Sequence, residues 1–116
     1  MRRRGYLGEL EQLMLWTIIR LDAEAYGVPI LRELQQRAGR RVSIGALYAT
    51  LERLEGKGFL TSRTGDPTPE RGGRAKRFYR VTAAGEQALD RSRETWLNVW
   101  RGLKVVRAVR MAEAAG

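Results

Sequence analysis

The chain has 116 residues, 43% of them hydrophobic and 30% charged, a composition typical of one globular domain with a modest core. Its 22 Lys and Arg residues outnumber 13 Asp and Glu residues, and the formal net charge of +9 favours a polyanionic partner. Cysteine and histidine are absent, which excludes disulfides, thiolate or imidazole metal sites and His-based catalytic triads. We therefore expect a binding protein that is not an enzyme and uses no cofactor.

The start of the chain, MRRRGYLGELEQL, has the basic opening of a signal peptide, but Glu9 and Glu11 interrupt the apolar stretch that export would need. The longest apolar run, at 13–19, is far shorter than the roughly 20 residues that span a bilayer. We expect a soluble protein located in the cytoplasm.

The first predicted helix covers residues 7–21, where helical spacing places one apolar stripe: Leu7, Leu10, Met14, Ile18 and Leu21. Leu13 and Trp16 extend this stripe sideways. A small domain rarely has enough mass to cover two faces of one helix, so the pattern indicates that a second chain covers one of them.

A second helix is predicted over VPILRELQQR, with Pro29 in its first turn and Gly39 at its end. Arg40 and Arg41 then lead to Ser43, the predicted N-cap of a third helix. Two helices joined by a short turn that contains glycine form a helix-turn-helix.

The third helix, within VSIGALYATLERLEGKG, carries a leucine stripe for the core and small side chains on its other face. That other face holds Ser43, Ala46, Ala49, Thr50 and Arg53. Small side chains would let a large partner such as DNA approach the helix backbone, although they would also fit a neighbouring helix.

Two predicted strands follow, FLTSRT and KRFYRVT, separated by the Gly- and Pro-rich segment GDPTPERGGRA. The residues from 71 to 80 include five basic side chains and no acidic one. A basic hairpin directly after a helix-turn-helix is a wing.

The last predicted helix begins at Thr82 and carries an apolar stripe with spacing close to that of a coiled coil: Leu89, Trp96, Val99, Leu103 and Val106. The predicted fold class is mainly α with a small β-hairpin. We divide the chain into a winged helix-turn-helix DNA-binding domain at 1–82 and a C-terminal dimerisation helix and tail at 83–116.

Over roughly residues 7–89 the sequence resembles the PadR family of bacterial winged-helix transcriptional regulators. The order and spacing of LGELEQLML, AYGVPILREL, VSIGALYATLERLEGKGFL and GGRAKRFYRVTAAG carry the resemblance. It implies a homodimeric DNA-binding protein, usually a repressor, whose first and last helices build the dimer interface. Only one helix can follow the wing, so the chain is similar to the members with a short C-terminal region.

Together, the residues and the resemblance predict a contact surface for double-stranded DNA. It comprises Arg40, Arg41, Ser43, Ala46, Tyr48, Ala49, Thr50, Arg53, Arg71, Gly72, Gly73, Arg74 and Lys76. The phosphate contact of Tyr48 is implied by the resemblance, and a plain core tyrosine is the alternative. The charges of Arg40 and Arg41 could instead be merely solvated.

The predicted dimer interface combines Leu10, Met14 and Ile18 with Leu89, Trp96, Val99, Leu103 and Val106. Trp96 and Trp100 lie one turn apart and could hold a planar aromatic effector by stacking, or only pack. In a dimer the two copies of the third helix, the recognition helices, would meet successive major-groove faces about 34 Å apart. This spacing requires a roughly palindromic operator.

Two other functions compete with DNA recognition. The basic wing could dock an acidic protein partner, as in winged-helix modules used for protein contacts. RNA binding is disfavoured because the strands offer few aromatic side chains for stacking beyond Phe78 and Tyr79.

Overall fold

The computed structural model describes residues 7–65 and 76–101. In chain order the elements of this part are α1 Glu9–Leu21, a 3-10 turn Asp22–Glu24, α2 Gly27–Ala38, α3 Ile44–Gly56, β1 Leu60–Thr64, β2 Arg77–Val81 and α4 Ala83–Trp100. The two strands pair antiparallel, with Leu60 opposite Val81 and Ser62 opposite Tyr79. The predicted fold class, mainly α with one small hairpin, is confirmed.

The helix ends predicted at Gly39, Ser43 and Thr82 agree with the structure because their caps are local, whereas α1 begins at Glu9, two residues later than predicted. The Ser43 hydroxyl accepts a hydrogen bond from the Ala46 amide at 3.0 Å, and the Thr82 hydroxyl accepts one from the Gly85 amide at 3.1 Å. Gly39 ends α2 with a φ of 65°, and the amides of Gly39 and Arg40 return to carbonyls of the last turn.

One hydrophobic core joins all four described helices and the hairpin. Its buried members include Leu15, Ile30, Leu34, Leu47, Leu51, Leu54, Phe59, Leu60 and Tyr79. A main-chain hydrogen bond from the Tyr79 amide to the Ala25 carbonyl, at 2.9 Å, attaches the hairpin to its neighbours, and one from the Thr82 amide to the Phe59 carbonyl, at 3.0 Å, continues the pairing of the two strands. The hairpin is therefore fixed against the turn that precedes α2, with β2 beside α1 and β1 beside α3.

The core also contains three residues that the sequence assigned to the dimer interface. Met14, Ile18 and Leu89 are buried within a single protomer, at 2% exposure or less. They have no surface left for a partner to cover, which corrects their assignment. Leu10 is partly buried and packs against the same core, while Leu103 and Val106 lie outside the described residues.

None of the helices in the described ranges is long and apolar enough to cross a membrane.

Candidate nucleic-acid interface

The exposed face of α3 is formed mainly by small side chains. Ser43, Ala46 and Ala49 are exposed, as the sequence predicts, and Gly45 is exposed beside them. No described atom outside the helix lies within 4 Å of the position that a Cβ on Gly45 would occupy. This surface is open, and a partner could approach the α3 backbone closely.

Two further side chains on this face were not among the predicted contacts. Ile44 is exposed although it is large and apolar, and Glu52 is exposed one turn after Tyr48. Ile44 lies three residues before Leu47, at the spacing of the core stripe, and no role was predicted for it from the sequence. Its place in the first turn, directly after the Ser43 cap, was the available signal that it lies beyond the core.

Thr50 was predicted to contact DNA, and the structure corrects this prediction. The side chain is buried, and its hydroxyl accepts a hydrogen bond from Nη2 of Arg53 at 3.4 Å. The reason is helical geometry, because Thr50 lies three residues after Leu47 and one before Leu51, within the stripe that faces the core.

Tyr48 is about half exposed, at 46%, and its hydroxyl lies against the start of α2. A Cβ added to Gly27 would stand 2.6 Å from this hydroxyl oxygen, so only glycine allows the ring its position. The tyrosine is thus neither a core residue nor a fully solvated one. Its hydroxyl is held at the surface where α2 and α3 meet.

The two arginines before α3 differ in their surroundings. Arg40 donates from Nη1 to Glu9 at 2.7 Å in an exposed ion pair that joins the turn to α1. Arg41 is exposed and forms no ion pair within the described residues. Arg41 is therefore better placed than Arg40 to meet a phosphate without losing a protein contact.

Arg53 and Lys57, one turn apart near the end of α3, both bind the carboxylate of Glu11 on α1. Arg53 Nε lies 3.2 Å and Lys57 Nζ 2.9 Å from Glu11 Oε2. Burial acts to raise the pKa of Glu11, but hydrogen bonds from Lys57, the Gly8 amide and Arg53 outweigh it and hold that pKa below its ordinary value. The carboxylate is therefore ionised at neutral pH.

Cations and aromatic rings alternate at the base of the wing. Lys76 Nζ lies 4.5 Å from the centre of the Tyr26 ring, whose edge meets Phe78 at a centroid distance of 5.3 Å. The Arg63 guanidinium lies over the Phe78 ring, 4.8 Å from the ring centre. The predicted contacts Arg71, Gly72, Gly73 and Arg74 lie outside the described residues.

On the inner side of the hairpin, burial of the Tyr79 phenol raises its pKa above the ordinary value.

Large apolar side chains are also exposed away from α3. Trp96, Val99 and Trp100 line α4, and Trp16 and Ile19 lie exposed on α1. The α1 side chains border a groove of about 660 Å³ between α1 and α2, whose rim carries the Arg37–Glu33 ion pair. The exposed apolar surface of α1 is thus formed by Trp16 and Ile19, and not by Met14 and Ile18 as the sequence predicted.

A helix-turn-helix whose second helix is followed directly by an antiparallel hairpin defines a winged helix-turn-helix protein. Residues 15–91 match the family described as the Transcriptional regulator PadR-like family. This match covers more than half of the sequence, and the chain belongs to the PadR family of transcriptional regulators. The resemblance seen in the sequence is confirmed, and the family is one of regulators rather than enzymes.

Individual relatives agree with this assignment. The transcriptional regulator Rv3488 of Mycobacterium tuberculosis (strain ATCC 25618 / H37Rv) is 47% identical over 74 residues, which are 62% of this chain and 63% of that protein. The match thus spans less than two thirds of that relative.

Solved structures show the same fold. A PadR family regulator from Clostridium difficile R20291 has a TM-score of 0.67 at 23% identity, covering 85% of this chain and 98% of that one. A PadR-like transcription factor from Bacteroides fragilis has a TM-score of 0.66 at 25% identity, covering 90% and 92%.

Proposed function

We propose that this chain is a sequence-specific double-stranded DNA-binding regulator, a cytoplasmic homodimeric repressor that acts on a roughly palindromic operator. The observation that carries the proposal is the exposed small-residue face of α3, with cations at both its ends. We retain the division into a DNA-binding domain at 1–82 and a dimerisation region at 83–116 as part of this proposal.

In this proposal α3 enters the major groove of the operator. Ala46 and Ala49 allow the helix backbone to approach the base edges, and their methyl groups can contact thymine methyls. Such short side chains read few bases, so we assign part of the specificity to Arg53 and part to DNA shape. The exposed Ser43 and Ile44 lie at the leading end of the helix.

The remaining contacts are to the phosphate backbone and fix the register of the protein on the duplex. Tyr48 offers a hydroxyl at the α2–α3 junction, Arg41 offers an exposed cation just before α3, and Lys76 offers one at the base of the wing. The wing-tip residues Arg71, Gly72, Gly73 and Arg74 stay in the proposal because of their sequence, with two glycines that let basic side chains come close to DNA.

The proposed dimer pairs the two exposed apolar surfaces of the chain. The partner's α4 would lay its Trp96–Trp100 face into the groove beside Trp16 and Ile19. Contiguous exposed apolar surface of this kind marks association sites in soluble proteins. The apolar stripe of α4 continues in the sequence at Leu103 and Val106, which would lengthen the same contact.

The experiment that tests DNA recognition is a titration against the chain's own upstream promoter DNA and a scrambled duplex at several salt concentrations. We expect the promoter to bind about a thousandfold more tightly. Ala49→Leu should reduce promoter affinity by about tenfold or more, because the longer side chain holds α3 away from the groove. Ala84→Leu, an equal change at an exposed position of α4, should leave it unchanged.

Equal and steeply salt-dependent affinities for the two duplexes would contradict the proposal, since they need only a basic surface. Retained binding to an acidic protein partner under the same conditions would instead support the docking-module alternative.

We also propose that Trp96 and Trp100 hold a planar aromatic effector that relieves DNA binding. The two exposed indoles lie one turn apart on α4 and would face the partner near the dimer axis. A planar ligand should quench tryptophan fluorescence and weaken promoter binding together. Quenching without any change in promoter affinity would contradict an effector role and leave the two side chains as interface anchors.

A further inference from the structure

Glu11 is the only charged residue that is buried within the described part of the chain, and its side chain is 8% exposed. Its oxygens accept hydrogen bonds from the Gly8 amide at 2.9 Å, from Arg53 Nε at 3.2 Å and from Lys57 Nζ at 2.9 and 3.0 Å. The Glu11 carboxylate therefore caps the first turn of α1 and also bonds the C-terminal end of α3 to α1.

These contacts join positions 42 and 46 residues apart in the sequence, so they act between elements and not within one. Burying a carboxylate is unfavourable unless its oxygens are satisfied, and here three of the four hydrogen bonds come from Arg53 in α3 and from Lys57 directly after it. An apolar residue could fill the same space without this desolvation. What it could not do is hold two points of α3, one turn apart, at fixed distances from α1.

We propose that Glu11 is a positioning residue for the recognition helix, setting the orientation in which α3 meets DNA through its bonds to Arg53 and Lys57. The inference rests on the proposed function and deepens it. The exposed side of α1 carries Trp16 and Ile19, the proposed dimer surface. Glu11 thus links the helix that sets the spacing between two protomers to the helix that reads the operator.

Arg53 benefits from the same bond in a second way. Its Nε is held by Glu11 and its Nη2 by Thr50, while 54% of the side chain stays exposed. Two fixed hydrogen bonds restrict the rotamers of a long side chain that would otherwise lose entropy on binding DNA. The free edge of the guanidinium is then presented in one direction.

The sign of the charge effect separates positioning from simple electrostatics. Glu11→Gln removes a negative charge from a protein of net charge +9, which by itself should tighten binding to any duplex. A loss of operator affinity would therefore run against the general charge effect. Only an altered presentation of α3 or Arg53 predicts such a loss.

The test measures the ratio of affinities for the promoter duplex and a scrambled duplex, using the full chain, for wild type, Glu11→Gln and Glu24→Gln. Glu24 is an exposed acid outside α3, and its substitution matches the charge change. We expect Glu11→Gln to lower the ratio about tenfold while scrambled-duplex affinity holds or rises, and Glu24→Gln to keep the wild-type ratio. Sedimentation and circular dichroism establish that each variant is a folded dimer.

A Glu11→Gln ratio equal to or above that of the wild type would overturn the inference and leave the proposed function intact. A wild-type ratio near one would overturn the proposed function itself, and the inference with it. If Glu11→Gln does not fold, Lys57→Met decides the question, because it removes the partly exposed partner of the Glu11 carboxylate and leaves the buried residue in place. The loss of one cation weakens binding to both duplexes alike, so it cancels in the ratio of their affinities. A lowered ratio for Lys57→Met, with Arg93→Met on α4 unaffected, supports positioning, and an unchanged ratio refutes it.

Discussion

Asp22 adopts a backbone conformation that side chains other than glycine rarely tolerate. It follows α1 with φ 53° and ψ −114°, and it is the only non-glycine residue with positive φ in the described ranges. Such a conformation costs on the order of 1–3 kcal/mol, whereas the added chain entropy of glycine costs about 0.4–1 kcal/mol. We expect Asp22→Gly to raise the free energy of unfolding by about 1 kcal/mol in urea titrations. Glu24→Gly, which removes the same charge at the end of the same 3-10 turn, should lower it.

Glu11 makes stability depend on pH in a defined direction. Its pKa lies lower in the folded than in the unfolded chain, so the unfolded chain binds the proton more readily and stability rises with pH. The contribution of this carboxylate is complete above its ordinary pKa of 4.5 and is lost as the pH falls through the lower folded value. In urea titrations the stability gap between wild type and Glu11→Gln should narrow from pH 7 to pH values below 4.5. A gap that stays constant over this range would contradict the assignment.

At the scale of elements, Gly85 sets how closely α4 approaches the hairpin. A Cβ at this position would stand 2.5 Å from the Phe59 carbonyl oxygen and 2.8 Å from a methyl group of Val81. The carbonyl belongs to the main chain and cannot rotate away, so Gly85→Ala should force α4 outward and lower the free energy of unfolding by about 1–3 kcal/mol. Gly56→Ala provides the control, because a Cβ there meets open space in α3. It should be neutral or stabilising by up to about 1 kcal/mol. Equal effects of the two substitutions in thermal unfolding would show that Gly85 does not limit the packing.

Helix ends and strands are the parts of the fold that the sequence could predict. Ser43, Gly39 and Thr82 mark helix ends through bonds to residues only a few positions away, so their role is visible in the sequence. The strands and the wing base follow from alternation and from the Gly- and Pro-rich segment between them. Thr50 could also have been placed correctly, because its spacing from Leu47 already put it on the core side.

Other features depend on what covers a side chain, which periodicity does not record. Met14 and Ile18 are apolar at helical spacing whether their own core or a second chain buries them. In the sequence Glu11 served only to interrupt an apolar stretch, and only the fold brings Arg53 and Lys57 to it. The family resemblance placed α3 and the wing beside each other, but it did not identify this carboxylate.

At the scale of the whole molecule, two exposed apolar patches form the proposed dimer surface. Trp16 on α1 is 46% exposed and Trp96 on α4 is 59% exposed, each within an apolar patch of the same chain. We expect Trp96→Arg to convert the proposed dimer to a monomer of 13.2 kDa in sedimentation, because it places a charge where two apolar surfaces would be desolvated. Trp16→Arg should act alike from the other side of the contact.

Loss of the proposed dimer should also weaken promoter binding by about a hundredfold or more. In a dimer, binding of one protomer places the second at high effective concentration near its half-site, and a lone protomer lacks this advantage. The added arginine would by itself favour DNA, so this loss cannot come from charge. Gln87→Arg, at an exposed polar position of α4, adds the same charge and should keep both the dimer and its affinity. If Trp96→Arg stayed dimeric with wild-type promoter affinity, the two recognition helices would have to be spaced by another surface, and the groove beside Trp16 would lose its proposed occupant.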